Sequence, residues 1–255
     1  MWSQILPGLR IKLFMTVVFG IVYPLAITGI CQVLFPHRAN GSLIPAGPAV
    51  IGSELIGQSF TKPEYFHPRP SSAGSGYDAA NSGASNLGPT NAKLIYGSTK
   101  VDDKKNEVVD FDGINLRIVH YCLENEIPYE SSAPLDQFKD AKGNLDDVRL
   151  IKAFNDPKTP LRFRAKTPIP ADAVTGSASG LDPDISPANA QAQAARVAKA
   201  RGITVDRVNQ LIAAATDHAD LGFLGEPRVN VLRLNLALDR SVPVKTAGQR
   251  LTPQG

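Results

Sequence analysis

Residues 13–35 read LFMTVVFGIVYPLAITGICQVLF, a stretch of 23 positions from Leu13 to Phe35 without one charged side chain. A helix of that length extends about 34 Å at ~1.5 Å per residue, which exceeds the ~30 Å hydrocarbon core of a bilayer. Lipid offers the backbone no hydrogen-bonding partners, so a segment held there must be helical. The stretch therefore predicts a single N-terminal transmembrane helix.

Small residues recur on one face of this predicted helix. Gly20, Pro24 and Thr28 are spaced four apart and share a face, narrow enough for a second membrane helix to approach closely. Gly and Pro are also common in membrane helices in general, and the sequence does not separate these two interpretations. Pro24 lacks a backbone donor, which predicts a kink.

The charges that flank the stretch predict its orientation. Arg10 and Lys12 precede it, whereas only Arg38 and His37 follow closely, and positive charge favours the cytoplasmic side. We expect residues 1–12 in the cytoplasm, a single pass through the cell inner membrane, and the bulk of the chain in the periplasm. A cleaved signal peptide is disfavoured, because the apolar run exceeds the ~7–15 residues of a signal core.

Composition bounds the rest of the chain. Its 255 residues, 43% apolar content and net charge of +3 suit one domain of moderate size besides the helix. The Lys and Arg residues form no cluster, which argues against a nucleic-acid partner. The two cysteines, Cys31 and Cys122, cannot bridge each other if the first lies in a membrane.

The strand and loop part of the outer domain is expected over residues 36–99. Short apolar pieces at 43–44, 50–51 and 55–56, separated by Gly and Pro, predict short strands. Residues 65–91 are too rich in Gly, Ser, Asn and Pro for a helix or a central strand, yet they carry aromatic and charged side chains. A flexible linker is one interpretation; an ordered loop that docks on the domain or on a partner is favoured.

Residues 100–166 are expected to form a charge-rich insertion. They carry 12 basic and 13 acidic side chains, a mixture typical of solvated surface. Ile114 to Leu123 is apolar enough for a strand or a short helix, and Asn144 is a candidate N-cap of a helix that carries Leu145, Val148, Ile151 and Phe154.

Residues 167–255 predict a helix, a second helix and a strand. Ser186 and Pro187 are an N-cap and first-turn pair for a helix that ends at Gly202. Thr204 caps the next helix. From Leu232 to Asp239 leucines alternate with other residues, which predicts a strand with one buried face.

Motifs for independent catalysis are lacking in the sequence. It has no G-x-x-x-x-G-K-[ST] phosphate loop, no Asp-Lys-Thr-Gly phosphorylation motif and no paired histidines. Asp110-Phe-Asp112-Gly113 lacks the glutamate that a calcium loop requires, so a solvated turn is favoured. We expect no catalytic residue, no metal site and no intrinsic cofactor.

Several long motifs resemble one family. The pieces are the apolar stretch, GSELIGQSFTKPEYFHPRPSSAG (52–74), SGASNLGPTN (82–91), IPADAVTGSASGLDPDISPANA (169–190), RVAKARGITVDRVNQLI (196–212) and GEPRVNVLRLNLALD (225–239). In this order they are similar to the C subunit of the high-affinity potassium-transporting P-type ATPase, the Kdp complex. The resemblance covers both ends of the chain and departs from the family over residues 100–166.

The resemblance implies partners and a role. The partners would be a channel-like, potassium-binding A subunit, an ATP-hydrolysing B subunit, a small F subunit and membrane lipid. Potassium would be the transported ion. The chain would act as a catalytic chaperone that raises the ATP affinity of the B subunit, and it would contact ATP only through that subunit. The alternative is an independent membrane-anchored extracytoplasmic binding protein or enzyme.

The resemblance also implies candidate site residues. Those for contact with a partner or the ion entrance are Tyr65, Phe66, His67, Arg69 and Asn86, with core packing of the aromatic side chains as the open alternative. The candidate nucleotide loop lies within Val174–Asp182 and comprises Thr175, Gly176, Ser177, Ser179 and Gly180. ATP is cytosolic, however, and the expected topology puts this loop outside, so a tight turn is favoured there. The expected fold is one transmembrane helix plus an extracytoplasmic mixed α+β domain with a charged insertion.

Overall fold

A computed structural model describes residues 2–46 and 49–243, so the polar tail predicted after Pro243 lies outside the described residues. The described residues divide between Leu55 and Ile56 into two units. The first contains the apolar stretch, and the second is a mixture of helices and short strands. One N-terminal apolar helix and a mixed α/β remainder are thereby confirmed.

The first unit is dominated by one continuous helical segment. It consists of α1 (Trp2–Val17), a π-helical turn (Val18–Val22) and α2 (Tyr23–Leu34). The segment Gln4–Leu34 is long and apolar enough to cross a membrane. Its most apolar 18-residue window has a mean hydropathy of 2.1 and no buried residue. It starts well before the predicted Leu13, so Arg10 and Lys12 are helical.

The irregularity expected at Pro24 takes the form of the π-turn that precedes it. Tyr23 N donates to Val18 O, five residues back. Pro24 has no N–H to donate to the preceding turn, and a widened turn is one of the recognised ways in which a helix accommodates such a break.

A hairpin follows the helical segment. The short helix α3 (Pro36–Ala39) leads into β1 (Leu43–Ala46), which pairs antiparallel with β2 (Ala49–Ser53). Ser53 Oγ donates to Gly41 O at 2.7 Å and thereby ties the end of the hairpin to its beginning. The strands predicted at 43–44 and 50–51 are confirmed, whereas Leu55 and Ile56 lie in a turn and a bend rather than a strand.

The second unit begins with an irregular segment that reaches Asn91, as the sequence predicts. Regular elements follow, and α7 is a single turn. They are α4 (Ala92–Tyr96), β3 (Ser98–Val101), β4 (Glu107–Phe111), α5 (Gly113–Glu124), β5 (Tyr129–Ser131), a 3-10 turn (Leu135–Phe138), α6 (Asp147–Phe154), β6 (Phe163–Ala165), α7 (Ala171–Val174), β7 (Asp184–Ile185), α8 (Pro187–Arg201), α9 (Val205–Ala214), β8 (Thr216–Asp217), β9 (Arg228–Asn230) and α10 (Val231–Ser241).

The strands of the second unit form three small antiparallel sheets. β3 pairs with β4 and β5 with β6, while β9 lies between β7 and β8. None of these sheets is large enough to enclose a core alone, so helices supply most of the buried surface.

Two hydrophobic clusters are buried in this unit. The first joins Phe66 to side chains of α8, α9 and α10, among them Val197, Ile212 and Leu234. The second contains seven buried side chains that all lie between residues 116 and 161: Leu116, Val119, Leu135, Leu150, Ile151, Phe154 and Leu161. The charge-rich segment thus contains a core of its own, while its predicted boundaries, 100 and 166, stay a prediction.

Both helices predicted after residue 185 are confirmed together with their caps. Ser186 Oγ accepts from Asn189 N at 3.1 Å, and Thr204 Oγ1 accepts from Arg207 N at 3.3 Å. Gly202 ends α8 at φ +66°, in the left-handed region that a helix C-terminus commonly adopts.

Within the charge-rich segment, residues 114–123 form a helix rather than a strand. The N-cap of α6 is Asp146, whose carboxylate accepts from Arg149 N, and not Asn144 as expected. Aspartate is an equally good N-cap, and from this position its charge also favours the helix N-terminus.

The strand predicted over Leu232–Asp239 is wrong, because these residues form α10. Asn230 caps the helix by accepting from Arg233 N at 3.0 Å. Leu232, Leu234, Leu236 and Leu238 are all buried. The leucines alternate because the helix is buried around most of its circumference. Residues 232–241 contain no β-branched side chain, which is a reason against a strand.

Candidate functional site

The irregular segment around Phe66 is fixed to the helical core by two buried side-chain amides. Asn235 accepts from Phe66 N at 2.8 Å and donates to Phe66 O at 3.0 Å. Gln193 accepts from His67 N at 2.7 Å and donates to His67 O at 3.1 Å. Each amide serves one donor and one acceptor of the backbone, which lets a loop without secondary structure be buried.

A buried arginine completes this attachment. Arg196 donates to Pro63 O at 2.7 Å, to Tyr65 O at 2.9 Å and to the side chain of Asn125 at 3.0 Å. It also donates to Gln193 Oε1 at 2.7 Å. Burial lowers the pKa of Arg196, and nearby Glu124 opposes that change.

His67 connects the loop to α5. Its Nδ1 lies 2.8 Å from Glu124 Oε1, and its Nε2 lies 3.0 Å from Lys62 O. Burial alone would raise the pKa of Glu124, but the hydrogen bond with His67 and the electrostatic interactions with His67 and Arg196 together lower it. The carboxylate is therefore held in its charged form.

Tyr65 faces a second buried arginine. The guanidinium of Arg201, whose side chain is fully buried, lies 5.0 Å from the centre of the Tyr65 ring and pairs with Asp239 at 2.9 Å. The Tyr65 hydroxyl donates to Asp239 at 3.1 Å. Burial, followed by the negative charge of Asp239, raises the pKa of Tyr65.

Arg69 links the loop to the candidate nucleotide loop. It pairs with Asp182 at 2.8 Å and donates to Thr175 O at 3.4 Å and to Gly176 O at 3.3 Å. Tyr77 donates through its hydroxyl to Arg69 O at 2.7 Å. Two groups of residues that the sequence treats separately are thus joined by one side chain.

The candidate nucleotide loop forms hydrogen bonds with residues 71–83. Gly83 N donates to Ser179 O at 2.9 Å, and Ser71 Oγ donates to Gly180 O at 2.6 Å. Inside the loop, Gly180 N donates to Ser177 O and Leu181 N donates to Ser179 Oγ. These contacts fit the tight-turn interpretation, because the amides of Gly180 and Leu181 already have partners.

Asn86 and the beginning of this loop line a common cavity of about 340 Å³, which also includes Ser72, Leu94 and Arg117. Its other lining residues include Thr175, Gly176 and Ser177. Asn86 is exposed and has a positive φ of 53°, which asparagine tolerates better than most residues.

A neighbouring cleft of about 410 Å³ is lined by polar side chains of the loop and of α5. His120 lies 2.8 Å from Asp147, and Arg117 pairs with Asp112 at 2.7 Å. Asp112 is the N-cap residue of α5 and the ion-pair partner of Arg117. The solvated turn expected over residues 110–113 is not formed, because Asp110 and Phe111 belong to β4 and Gly113 is the buried first residue of α5. Across residues 2–46 and 49–243, no group of three His, Cys, Asp or Glu side chains could hold a metal ion.

The structure thus places the sequence-predicted site residues in different settings. Phe66 is fully buried in the core, whereas Tyr65, His67 and Arg69 are half-buried and occupied by the contacts above. Sequence analysis missed Gln193, Arg196 and Asn235. The one sequence feature that points to these three residues is that each polar side chain stands next to apolar residues of the same helix.

The face formed by Gly20, Pro24 and Thr28 is exposed along the helical segment of the first unit. A Cβ at Gly20 would meet only Thr16 Cγ2, at 3.8 Å, which is an ordinary contact. Thr28 Oγ1 donates to Pro24 O at 2.8 Å, so its hydroxyl is satisfied within the helix.

One exposed apolar helix joined to a polar, loop-rich α/β unit defines a class, that of single-helix membrane-associated proteins. Comparison with known families is more specific: the model described as KdpC, K+-transporting ATPase, c chain, matches residues 5–113 and 144–240. The chain belongs to this family. It is therefore a subunit of a potassium-transporting ATPase.

Individual relatives agree over nearly the whole length. The chain is 46% identical over 240 residues to the potassium-transporting ATPase KdpC subunit of Mycobacterium tuberculosis H37Rv, covering 94% of this chain and 100% of the relative. The corresponding subunit of Rhodospirillum rubrum is 45% identical over 238 residues, covering 93% and 96%. That of Koribacter versatilis is 42% identical over 246 residues, covering 96% and 99%.

The family model passes over residues 114–143, inside the predicted insertion.

Proposed function

We propose that the chain is a non-catalytic accessory subunit of an ATP-driven potassium uptake complex and supports assembly of that complex. Its partners are the channel-like A subunit, the ATP-hydrolysing B subunit and the small F subunit. The observation that carries the proposal is the helical segment Gln4–Leu34, whose apolar surface is unburied in a chain of the potassium-ATPase family.

The helix packs beside the A subunit through Gly20, Pro24 and Thr28. Nothing in the described part of the chain requires a small residue at position 20, since a Cβ there makes only one ordinary contact. A face without large side chains lets two helix backbones approach closely, and in lipid this packing is a principal source of helix association.

The orientation follows from the flanking charges. Arg10 and Lys12, near the N-terminal end of the helical segment, lie on the cytoplasmic side of the inner membrane, and the second unit lies in the periplasm. The outer unit then adds contacts that hold the assembled subunits together.

A role as catalytic chaperone for ATP, through Thr175–Gly180, is the second candidate, and it rests on the family resemblance. It requires the opposite orientation, because ATP is cytosolic. The contacts of Ser179 and Gly180 with residues 71–83 favour a structural turn. Labelling of Ser179→Cys by an impermeant maleimide from outside the membrane only would eliminate this candidate.

The proposed function is tested by co-purification. The tagged chain is expressed with and without the neighbouring genes for the other ATPase subunits. We expect potassium-stimulated ATPase activity to elute with the tag only when those subunits are co-expressed. ATPase activity of the chain alone, or a chain that elutes without the other subunits, would contradict the proposal.

A further inference from the structure

The connection between β8 and β9 exposes three large apolar side chains at one tip. Leu221 is 83% exposed, Phe223 74% and Leu224 50%. Single exposed apolar residues are ordinary, but a cluster of them marks a surface for interaction. We call residues 220–224 the apolar tip.

The tip is an ordered turn and not a loose end. Asp220 and Leu224 exchange two backbone hydrogen bonds of 2.9 Å each, and Phe223 N donates to Asp220 O at 3.3 Å. The tip therefore presents its side chains in a defined arrangement.

Leu221 has an unfavourable backbone conformation for its residue type. Its φ is +55° and that of Gly222 is +81°. Glycine or asparagine adopts this region at little cost, whereas a leucine pays for it sterically. Neither the stability of the turn nor core packing accounts for a leucine here, so its side chain is suited to a contact outside the chain.

Charge defines the chemistry of that contact. Asp220 and Glu226 flank the tip, and neither forms an ion pair within residues 2–46 and 49–243. The nearby arginines are engaged elsewhere, Arg228 with Asp184 at 3.4 Å and Arg233 with Asp217 at 3.2 Å. Uncompensated carboxylates oppose binding to an anionic lipid surface and favour a basic protein surface.

We propose that the apolar tip docks into an apolar depression rimmed by lysine or arginine on another subunit of the transport assembly. Leu221 and Phe223 fill the depression, and Asp220 and Glu226 face its basic rim. The inference rests on the proposed function, because it requires the chain to be part of such an assembly.

The test places the photoreactive amino acid p-benzoylphenylalanine at position 223 of the full chain, expressed in membranes with the other ATPase subunits. Val101, which is 68% exposed on β3, provides the matched control position. We expect a crosslink from 223 to a peptide of another ATPase subunit, and none to that peptide from 101. A crosslink to lipid only, to a second copy of this chain, or to nothing would overturn the proposal.

Two variants separate docking from folding. Leu221→Asn relieves the backbone conformation, so the thermal midpoint of unfolding should stay equal or rise. The crosslink yield at position 223 should fall about tenfold or more, because the contact loses a leucine that docking would bury. The double variant Asp220→Lys with Glu226→Lys should lower the yield similarly. An unchanged yield in both variants, or a lower thermal midpoint in Leu221→Asn, would contradict the proposal.

The same preparation separates a failure of the docking proposal from a failure of the proposed function. If the tagged chain still elutes with the ATPase subunits but position 223 gives no crosslink, the docking inference alone is wrong. If no ATPase subunit elutes with the chain, the proposed function itself is wrong.

Discussion

The side-chain amide of Asn235 binds both backbone groups of Phe66, accepting from its N–H at 2.8 Å and donating to its C=O at 3.0 Å. The phenyl ring of Phe66 is meanwhile fully buried against α8, α9 and α10. An irregular loop is in this way built into the helical core, which explains how the Gly- and Ser-rich segment around it can be ordered.

Replacing Asn235 by leucine is expected to destabilise the second unit by about 2–5 kcal/mol, because two buried backbone groups lose their partners. Thermal or urea unfolding of the detergent-solubilised chain measures this. Asn209→Leu, at an exposed position of α9, is the matched control and should change stability by about 0.5 kcal/mol or less. Equal effects of the two substitutions would show that the Asn235 contacts contribute nothing.

Gly180 is expected to tolerate no side chain. Its φ is +69°, and a Cβ there would lie 2.5 Å from Gly83 O and 2.8 Å from Ala73 N, both backbone atoms. Gly180→Ala should therefore cost more than Gly202→Ala, which has a similar φ of +66° but open space around it. Gly202→Ala is the control that isolates the cost of the backbone conformation, about 1–2 kcal/mol. Comparable unfolding midpoints for the two variants would contradict the steric argument.

The ion pair of His120 with Asp147 predicts a pH dependence. The hydrogen bond from His120 to Asp147, and then the charge of Asp147, raise the pKa of His120 above its usual value despite partial burial. A histidine whose pKa is raised on folding stabilises fully below its unfolded pKa, about 6.5, and this contribution is lost as the pH rises through the folded value.

The loss of stability in His120→Gln should accordingly be largest below about pH 6.5 and shrink toward higher pH. Unfolding midpoints of both proteins between pH 5.5 and 9 give the comparison. Asp147→Asn should abolish the pH-dependent difference. A destabilisation by His120→Gln that is constant across this range would show that the pair makes no protonation-linked contribution.

Cys122 is expected to be chemically inert in the folded chain. It is fully buried on α5, and burial raises the pKa of its thiol to about 11. In a Cys31→Ala background, iodoacetamide at pH 8 should modify Cys122 only after unfolding, as mass spectrometry would detect. Ser179→Cys, at an exposed position, is the positive control; rapid modification of native Cys122 would mean that α5 opens readily.

The elements that the sequence predicted well have local signals. Ser186, Thr204 and Gly202 act on the helices next to them, so caps and stops identified α8 and α9 without knowledge of the fold. The apolar helical segment is similarly evident from its composition. Its early start at Trp2 was missed because Arg10 and Lys12 interrupt the apolar pattern without interrupting the helix.

What the sequence could not predict depends on distant partners. Gln193, Arg196 and Asn235 all form hydrogen bonds with the loop around Phe66, which lies more than 120 residues earlier in the chain. The helical period of α10 is also hidden, since Leu232 and Leu236 are buried as well as Leu234 and Leu238. A helix buried around most of its circumference offers only a narrow exposed face, here Arg233 and Arg240, from which to recognise its period.

The central claim, that this chain assembles with the ATPase through its membrane helix, is tested most directly by a co-purification assay of helix-face variants. Gly20→Leu combined with Thr28→Leu adds bulk to the proposed partner face, whereas Gly29→Leu adds the same side chain on a different face, where a Cβ meets nothing within 4 Å. We predict that the double variant loses most of the co-purifying A and B subunits while Gly29→Leu retains them. Full recovery of both subunits with the double variant would contradict the account.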